Sequence, residues 1–148
     1  MTTQISEVKK TMNPYIHKVD FYETDQMGVV HHSNYIRWFE TARIDALDQA
    51  GLTYAKMEET GLFGVTLSVS CEYRRSVRFG QTVEVEPVLT DVDDRFMTIH
   101  YVVRDADSKK ERATGDSKHC FVGLDGKMLS LQETDPELYK NICSLIGK

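Results

Sequence analysis

The stretch YETDQMGVVHHSNYIRWFETAR, residues Tyr22–Arg43, joins a carboxylate, a glycine turn and two adjacent histidines to an amphipathic helical pattern. Apolar residues recur on one face at three- and four-residue intervals, which predicts a helix over residues 33–50. Gly51 follows the pattern as a left-handed helix end would. Ser33 or Asn34 is the expected N-cap, because a short side-chain oxygen accepts from the free N–H groups of a first turn.

Alternation of apolar and polar residues predicts strands on both sides of this helix. One strand, Tyr15–Phe21, precedes it, and four consecutive strands follow in residues 63–79, 81–92, 95–106 and 111–124. Such a run of strands joined by short turns predicts an α+β fold, with an antiparallel sheet that buries the one amphipathic helix. Pro87 must then lie at a sheet edge or a bulge, because it has no N–H to donate.

The chain of 148 residues fits a short polar leader at residues 1–13 and a single domain at residues 14–148. A net charge of -5 gives no overall case for nucleic-acid binding. No apolar run is long enough for a transmembrane segment, and the amino terminus lacks the apolar core of a signal peptide, so we expect a cytoplasmic protein. The three scattered cysteines are expected to be reduced.

Asp25 lies between the predicted first strand and the long helix, and His32 follows at the helix start. A carboxylate, an imidazole and unpaired backbone N–H groups are a minimum set for hydrolysis of an activated acyl group. A structural interpretation competes with this one, since an aspartate before a helix is commonly a capping or turn residue. Local chemistry alone favours the structural interpretation.

The order of the whole motif TDQMGVVHHSNYIRWFETAR resembles that of the 4-hydroxybenzoyl-CoA thioesterase family of hotdog-fold proteins. Within that family it is similar to the small bacterial acyl-CoA thioesterases associated with the Tol-Pal region. The matching features are an acid, a glycine turn, two apolar residues, a histidine, Asn-Tyr and a Phe-Glu-x-Ala-Arg helix. The resemblance implies a hotdog fold, with an antiparallel sheet wrapped around one long central helix, and hydrolysis of a fatty or aromatic acyl-CoA.

Carried over by position, the resemblance makes Asp25 the catalytic nucleophile or general base. His32 falls on the family histidine, where the backbone N–H at the helix start polarises the thioester carbonyl and the imidazole orients carbonyl or water. The further residues expected at the substrate are Gly28, Val29, Val30, His31 and Tyr35.

Arg74, Arg75 and Arg78 lie within five residues, and guanidinium groups suit the phosphates of coenzyme A. The alternative is a solvated strand edge whose charges discourage aggregation. Strand alternation places Arg74 and Arg75 on opposite faces, so a regular strand would not direct both to one phosphate.

No metal ion and no cofactor are expected. His31, His32, Asp25 and Glu40 are the obvious candidate ligands, but they lack a zinc-like spacing. Adjacent histidines also point apart when the segment is extended.

The resemblance implies an acyl-CoA substrate, or an acyl carrier protein as carrier, and a homodimer or homotetramer with active sites at subunit interfaces. In that assembly Asp25 faces the VTLSVSCEYRR strand of another copy. A single sheet with an unpaired edge also favours a dimer. The alternatives are a hotdog dehydratase or hydratase, whose acid and histidine pattern this chain lacks, and a non-catalytic acyl-thioester binding or scaffolding module.

Overall fold

The computed structural model describes residues 13–146, so the expected leader at residues 1–13 lies almost wholly outside the described part. A 3-10 turn at Phe21–Glu23 follows the first strand. In chain order the strands and helices are β1 Tyr15–Lys18, α1 Ser33–Gln49, α2 Tyr54–Glu59, β2 Phe63–Tyr73, β3 Thr82–Val92, β4 Phe96–Asp105, β5 Glu111–Val122, α3 Leu131–Thr134 and α4 Pro136–Cys143.

The five strands form one antiparallel sheet in the order β1-β3-β4-β5-β2, so β1 and β2 are its edges. The predicted α+β class is confirmed. Strand β1 is shorter than expected because the chain turns into the 3-10 segment after Asp20. Pro87 pairs with Tyr101 of β4, whereas β1 pairs only with residues 82–85 of β3. Pro87 therefore lies on the open edge, as its missing N–H requires.

Helix α1 packs its apolar face on the sheet, and its buried side chains include Tyr35, Trp38, Phe39 and Ala42. The Phe39 ring stacks on Tyr101 of β4 with a centroid distance of 4.4 Å and an interplanar angle of 11°. Gly115 of β5 makes this approach possible. A Cβ atom there would lie 2.6 Å from Phe39 Cζ and 2.5 Å from the Ser70 carbonyl oxygen, so no side chain fits.

The two ends of α1 differ in how well the sequence predicted them. Gly51 has φ +82° just after the helix, as expected. The predicted N-caps, Ser33 and Asn34, are wrong, because both residues lie inside the first turn. The imidazole of His31 accepts from the Ser33 N–H instead, with 3.2 Å between Nδ1 and N. Asn34 is buried and its Nδ2 donates to the Glu23 carbonyl oxygen at 2.8 Å.

A chain of polar groups connects α1 to β2, and its middle members, Tyr101, Ser117 and His119, are buried. Arg43 Nη1 donates to the Tyr101 hydroxyl at 3.2 Å, and this hydroxyl is hydrogen-bonded to Ser117 Oγ at 2.7 Å. Ser117 Oγ is in turn hydrogen-bonded to His119 Nε2 at 2.7 Å. His119 Nδ1 lies 3.2 Å from Thr66 Oγ1. Because arginine only donates, the protons order from Arg43 toward Thr66, and His119 Nε2 is an acceptor. Burial, followed by the charge of Arg43, lowers the pKa of His119 to about 4.

Strand β2 pairs with β5 on one side, and within residues 13–146 no strand pairs with its other edge. Its eleven residues, FGVTLSVSCEY, contain no proline and no charge before Glu72. Val65, Leu67 and Val69 are 40%, 48% and 40% exposed. Natural edge strands are usually protected by charges, proline or a covering segment. Before Glu72 this strand has neither charge nor proline, and most of its side chains stay exposed in the part of the chain that the structure describes.

Cys71, Cys120 and Cys143 are all free thiols, as the sequence indicated. Among residues 13–146, no helix combines the length and the apolarity that crossing a membrane requires.

Candidate active site

Asp25 lies at the start of a tight hairpin between the 3-10 turn and α1. Thr24 and Val30 form an antiparallel bridge, the Asp25 N–H donates to the Val29 carbonyl (2.8 Å), and the Gly28 N–H donates to the Asp25 carbonyl (2.9 Å). Gly28 closes the turn with φ +78°, a conformation that side chains disfavour. The sequence DQMG therefore fixes where the carboxylate of Asp25 lies relative to the helix.

The Asp25 carboxylate is half-buried and uses only one oxygen to hold the turn. Its Oδ1 accepts from the Met27 N–H at 2.8 Å and, more weakly, from the Val29 N–H at 3.4 Å. Within residues 13–146, Oδ2 has no hydrogen-bond partner and no ion-pair partner. One oxygen is thus available for chemistry while the other fixes the orientation of the group.

The two adjacent histidines have different surroundings. His31 donates its N–H to the Glu23 carbonyl (2.8 Å), and its Nδ1 lies 2.9 Å from Ser33 Oγ. The His32 N–H has no acceptor among the described residues, although it stands at the positive end of the 17-residue helix α1. Because His31 caps the Ser33 N–H, the His32 N–H is the donor of this turn that remains free.

The expectation that the two histidine side chains point apart is wrong. Their rings stack with centroids 4.1 Å apart and planes inclined by 29°. The reason is the backbone, since His32 has helical φ −56° and ψ −29° rather than extended angles.

Asp25 and His32 open into one cleft of about 270 Å³. Most predicted substrate residues line it, but Gly28 and His31 are not among the lining residues: Gly28 shapes the turn and His31 caps the helix. The lining residues are Asp25, Val29, Val30, His32, Tyr35, Tyr73, Arg74, Arg75 and Ser76.

Tyr73, the last residue of β2, is a site residue that the sequence analysis did not single out. Its hydroxyl donates to the His32 carbonyl at 3.0 Å, and its ring meets that of Tyr35 edge-on at 4.9 Å. Partial burial, followed by the neighbouring Cys71, raises the pKa of Tyr73 to about 12, so the hydroxyl stays protonated at neutral pH. The sequence feature that could have indicated this role is a tyrosine directly before two arginines, at the end of a strand.

Arg74 and Arg75 both line the cleft, which corrects the expectation that they lie on opposite faces. Strand β2 ends at Tyr73, so alternation does not extend to them, and both N–H groups donate to the Arg112 carbonyl at 2.9 and 3.0 Å. The Arg74 guanidinium pairs with Glu72 at 3.3 Å and Glu111 at 3.5 Å. No ion pair involves Arg75 in the part of the chain that the structure describes.

A second cleft, of about 320 Å³, lies between α2 and α4 and shares no lining residue with the first. It contains neither Asp25 nor the histidines. The larger volume does not make it the reaction site, because the candidate reacting groups, Asp25 and His32, line the smaller cleft.

Comparison with known proteins identifies a matching family and several relatives of this chain. A family model described as the thioesterase-like superfamily matches residues 19–142. A protein of Aquifex aeolicus named "Putative esterase" is 38% identical over 127 residues, which cover 86% of this chain and 97% of that protein. "Putative acyl-CoA thioesterase YneP" of Bacillus subtilis is 31% identical over 83 residues, covering 56% of this chain and 59% of that protein.

The fold has a close structural counterpart in a DHNA-CoA thioesterase from Staphylococcus aureus, with a TM-score of 0.84 and 24% identity. The match covers 90% of this chain and 89% of that one. At that identity the likeness concerns the fold alone. With the family match, it confirms the expected hotdog fold.

Proposed function

We propose that this chain, which belongs to the thioesterase-like superfamily, hydrolyses an acyl-CoA thioester to the free acid and coenzyme A. The observation that carries the proposal is that Asp25 and His32 line one cleft, and that neither Asp25 Oδ2 nor the His32 N–H has a hydrogen-bond partner within residues 13–146. Acyl transfer requires a carboxylate that attacks the carbonyl carbon or activates water, together with a donor that stabilises the developing oxyanion.

In the proposed reaction the thioester carbonyl oxygen accepts from the His32 N–H, and the positive end of α1 stabilises the oxyanion. Asp25 then acts as general base for water, or attacks the carbonyl carbon to give an anhydride that water hydrolyses. In either route the C–S bond breaks, the thiolate leaves and takes a proton, and the acid is released. The exposed His32 imidazole orients water or carbonyl.

The walls of the cleft suit an acyl or aromatic group close to the reacting carbonyl. Val29, Val30, Tyr35 and Tyr73 supply apolar surface next to Asp25. The carrier is proposed to be coenzyme A, with an acyl carrier protein as the alternative.

Arg75 is the proposed contact for a coenzyme A phosphate, because its guanidinium has no ion pair among the described residues, whereas that of Arg74 faces two carboxylates. Arg75→Gln should raise KM for acyl-CoA about tenfold and leave KM for the same acyl group on N-acetylcysteamine unchanged, since that carrier lacks phosphates. Arg95→Gln, at an exposed turn, is the matched control. An equal effect on both thioesters would contradict the assignment.

A homodimer formed through β2, and a homotetramer of two such dimers, belong to the same proposal. The open edge of β2 has unpaired backbone groups and exposed Val65, Leu67 and Val69, all of which an antiparallel β2 from a second copy would cover. Residues 73–76, at the end of β2, line the cleft. A second copy at this edge would therefore add a wall to the active site.

The test of the function is a panel of aliphatic and aromatic acyl-CoAs with a thiol-reactive dye, applied to the wild type and to Asp25→Asn. The variant keeps the shape of the side chain and should lose at least about 100-fold in kcat. Asp107→Asn, an exposed aspartate outside the cleft, should keep wild-type turnover. Near wild-type kcat in a folded Asp25→Asn protein would contradict the mechanism.

The competing function is a non-catalytic acyl-thioester binding or scaffolding module. Such a module would bind acyl-CoA in calorimetry without turnover, and Asp25→Asn would then change neither binding nor the absent hydrolysis. Asp25 Oδ2, which has no partner among the described residues, favours the enzyme, because a binder needs no carboxylate at the carbonyl.

The narrower assignment to the 4-hydroxybenzoyl-CoA thioesterase family and its Tol-Pal-associated branch is also part of the proposal, supported by the motif TDQMGVVHHSNYIRWFETAR. A cytoplasmic location stays a prediction.

A further inference from the structure

We propose that Glu23 is a positioning residue of the active site, because its side chain and its backbone carbonyl together fix the Asp25 turn to the start of α1. The inference rests on the function proposed above. Glu23 is not a lining residue of the cleft, and its hydrogen-bond partners among the described residues do not include Asp25.

The Glu23 carboxylate is 5% exposed and accepts from three separate parts of the chain. Oε1 accepts from the Asp20 N–H at 2.9 Å and from His17 Nε2 at 2.7 Å. Oε2 accepts from the Trp38 indole N–H at 2.8 Å. One side chain thereby joins the end of β1, the 3-10 turn and the second turn of α1.

The Glu23 carbonyl oxygen makes the second set of contacts. It accepts from the His31 N–H and from Asn34 Nδ2, both at 2.8 Å. These donors bracket His32, whose N–H is the proposed oxyanion donor, and Asp25 is only two residues beyond Glu23. A shift of Glu23 would move both reacting groups relative to each other.

The negative charge of Glu23 contributes to this positioning. Burial alone would raise the pKa of the carboxyl, but hydrogen bonds from the Asp20 backbone, His17 and Trp38 outweigh burial and lower it. Because an ionised carboxylate can only accept, His17 Nε2 is the donor to Glu23 Oε1, and the Tyr15 hydroxyl lies 2.9 Å from the other ring nitrogen, Nδ1. The carboxylate is therefore ionised, and all its nearby partners are donors.

Ligand atoms of His17, Asp20 and Glu23 all lie within 4.8 Å of one another, a spacing that a metal ion could also use. Both Glu23 oxygens and both His17 nitrogens are already hydrogen-bonded, however, and a metal would have to displace Trp38 or Asp20 from the carboxylate. These contacts therefore favour a hydrogen-bonded cluster over a metal site at this position.

Glu23→Gln tests the proposal with little change of shape. Its amide NH2 must face either the indole N–H of Trp38 or the donors from His17 and Asp20, so one of these contacts becomes donor against donor. We expect kcat on the best acyl-CoA to fall about 10- to 100-fold, the scale of a displacement near 1 Å, while KM stays within about threefold. Glu58→Gln, at an exposed position of α2, is the matched control and should keep the wild-type kcat.

Amide hydrogen exchange provides a readout that does not depend on turnover. The His31 amide, which donates to Glu23, should exchange at least about tenfold faster in Glu23→Gln, whereas amides of β3 and β4 should be unchanged. Trp38 is the single tryptophan of the chain, so its indole proton gives one resolved resonance that should lose its hydrogen-bonded shift in the variant.

The outcomes separate this inference from the proposed function. If the wild type hydrolyses no thioester in the panel, the function fails, and the exchange data still decide whether Glu23 fixes the helix start. If the wild type is active and a folded Glu23→Gln keeps kcat within twofold, the inference is overturned. A uniform loss of protection across β3 and β4 with a parallel rise of KM would show a general structural role and overturn it as well.

Should Glu23→Gln fail to fold, Trp38→Phe, which removes one donor, must show the same loss of kcat at constant KM; otherwise the inference is overturned.

Discussion

The Tyr73 hydroxyl at the end of β2 donates a 3.0 Å hydrogen bond to the backbone carbonyl of His32 at the start of α1. The N–H of the same residue has no acceptor within residues 13–146, so the edge strand of the sheet helps to orient the proposed oxyanion donor. Sheet and helix are joined at this wall of the cleft by that hydrogen bond and by the edge-on contact of the Tyr73 ring with Tyr35.

Removing that hydroxyl should affect the reaction more than the fold. Tyr73→Phe keeps the ring contact with Tyr35 and loses one hydrogen bond, which contributes about 1 kcal/mol. We expect kcat to fall about three- to tenfold with a melting temperature within a few degrees of wild type. Tyr54→Phe, at an exposed site on α2, is the control. An unchanged kcat in Tyr73→Phe would show that the bond does not orient the donor.

His32 and His31 should respond differently to alanine substitution. His32→Ala keeps the backbone donor and loses the imidazole in the cleft, so kcat should fall roughly 10- to 1000-fold, less than on loss of Asp25. His31→Ala removes the cap on the Ser33 N–H and should cost about 1 kcal/mol of stability with a much smaller loss of kcat. Steady-state kinetics and urea unfolding of both variants measure this. A larger kcat loss in His31→Ala would exchange the two roles.

Gly115→Ala should destabilise the protein markedly, because its Cβ would lie 2.5 Å from the backbone oxygen of Ser70 and overlap Phe39. Overpacking of this kind costs about 1–3 kcal/mol, and a backbone atom is the least able to move away. Gly123→Ala is the control, since its nearest neighbour is the end of the flexible Leu129 side chain at 3.3 Å. Thermal unfolding that leaves Gly115→Ala as stable as Gly123→Ala would refute this packing.

Stability should fall as the pH drops from about 6.5 to about 4, because of His119. Its pKa in the folded protein is about 4, below the usual 6.5, so in this interval the unfolded chain binds the extra proton and is favoured. The two values set an upper limit of about 3 kcal/mol for the loss. In His119→Gln this part of the pH dependence should disappear, whereas His100→Gln, on a half-exposed histidine, should retain it. Urea midpoints at several pH values measure both, and an unchanged slope in His119→Gln would contradict the assignment.

Regular features of the fold were predictable because they depend on neighbours in the sequence. The period of α1, its end at Gly51 and the glycine-closed turn of Asp25 follow from local backbone preferences. Other features depend on side-chain positions that backbone preferences do not specify. Histidine is an uncommon residue to cap a helix with its side chain, and the capping role of His31 appears only once its ring is located.

The two residues that were missed illustrate the same limit. The partners of Glu23 come from β1, the 3-10 turn and α1, so no short window of sequence contains them. Tyr73 belongs to the site because β2 ends next to the start of α1. The orientation of Arg74 and Arg75 was wrongly predicted for a related reason, since it depends on where that strand stops.

The open edge of β2 has a consequence for how the protein behaves on dilution. If a second copy pairs with this edge, the folded state gains stability by mass action, and its melting temperature rises with protein concentration. At nanomolar concentrations, where most assays are run, a dissociating dimer would lose specific activity, regain it when concentrated, and expose a strand prone to aggregation. Turnover measured over a hundredfold range of enzyme concentration would then report assembly directly, and strict proportionality would indicate that each chain works alone or that the dimer does not dissociate.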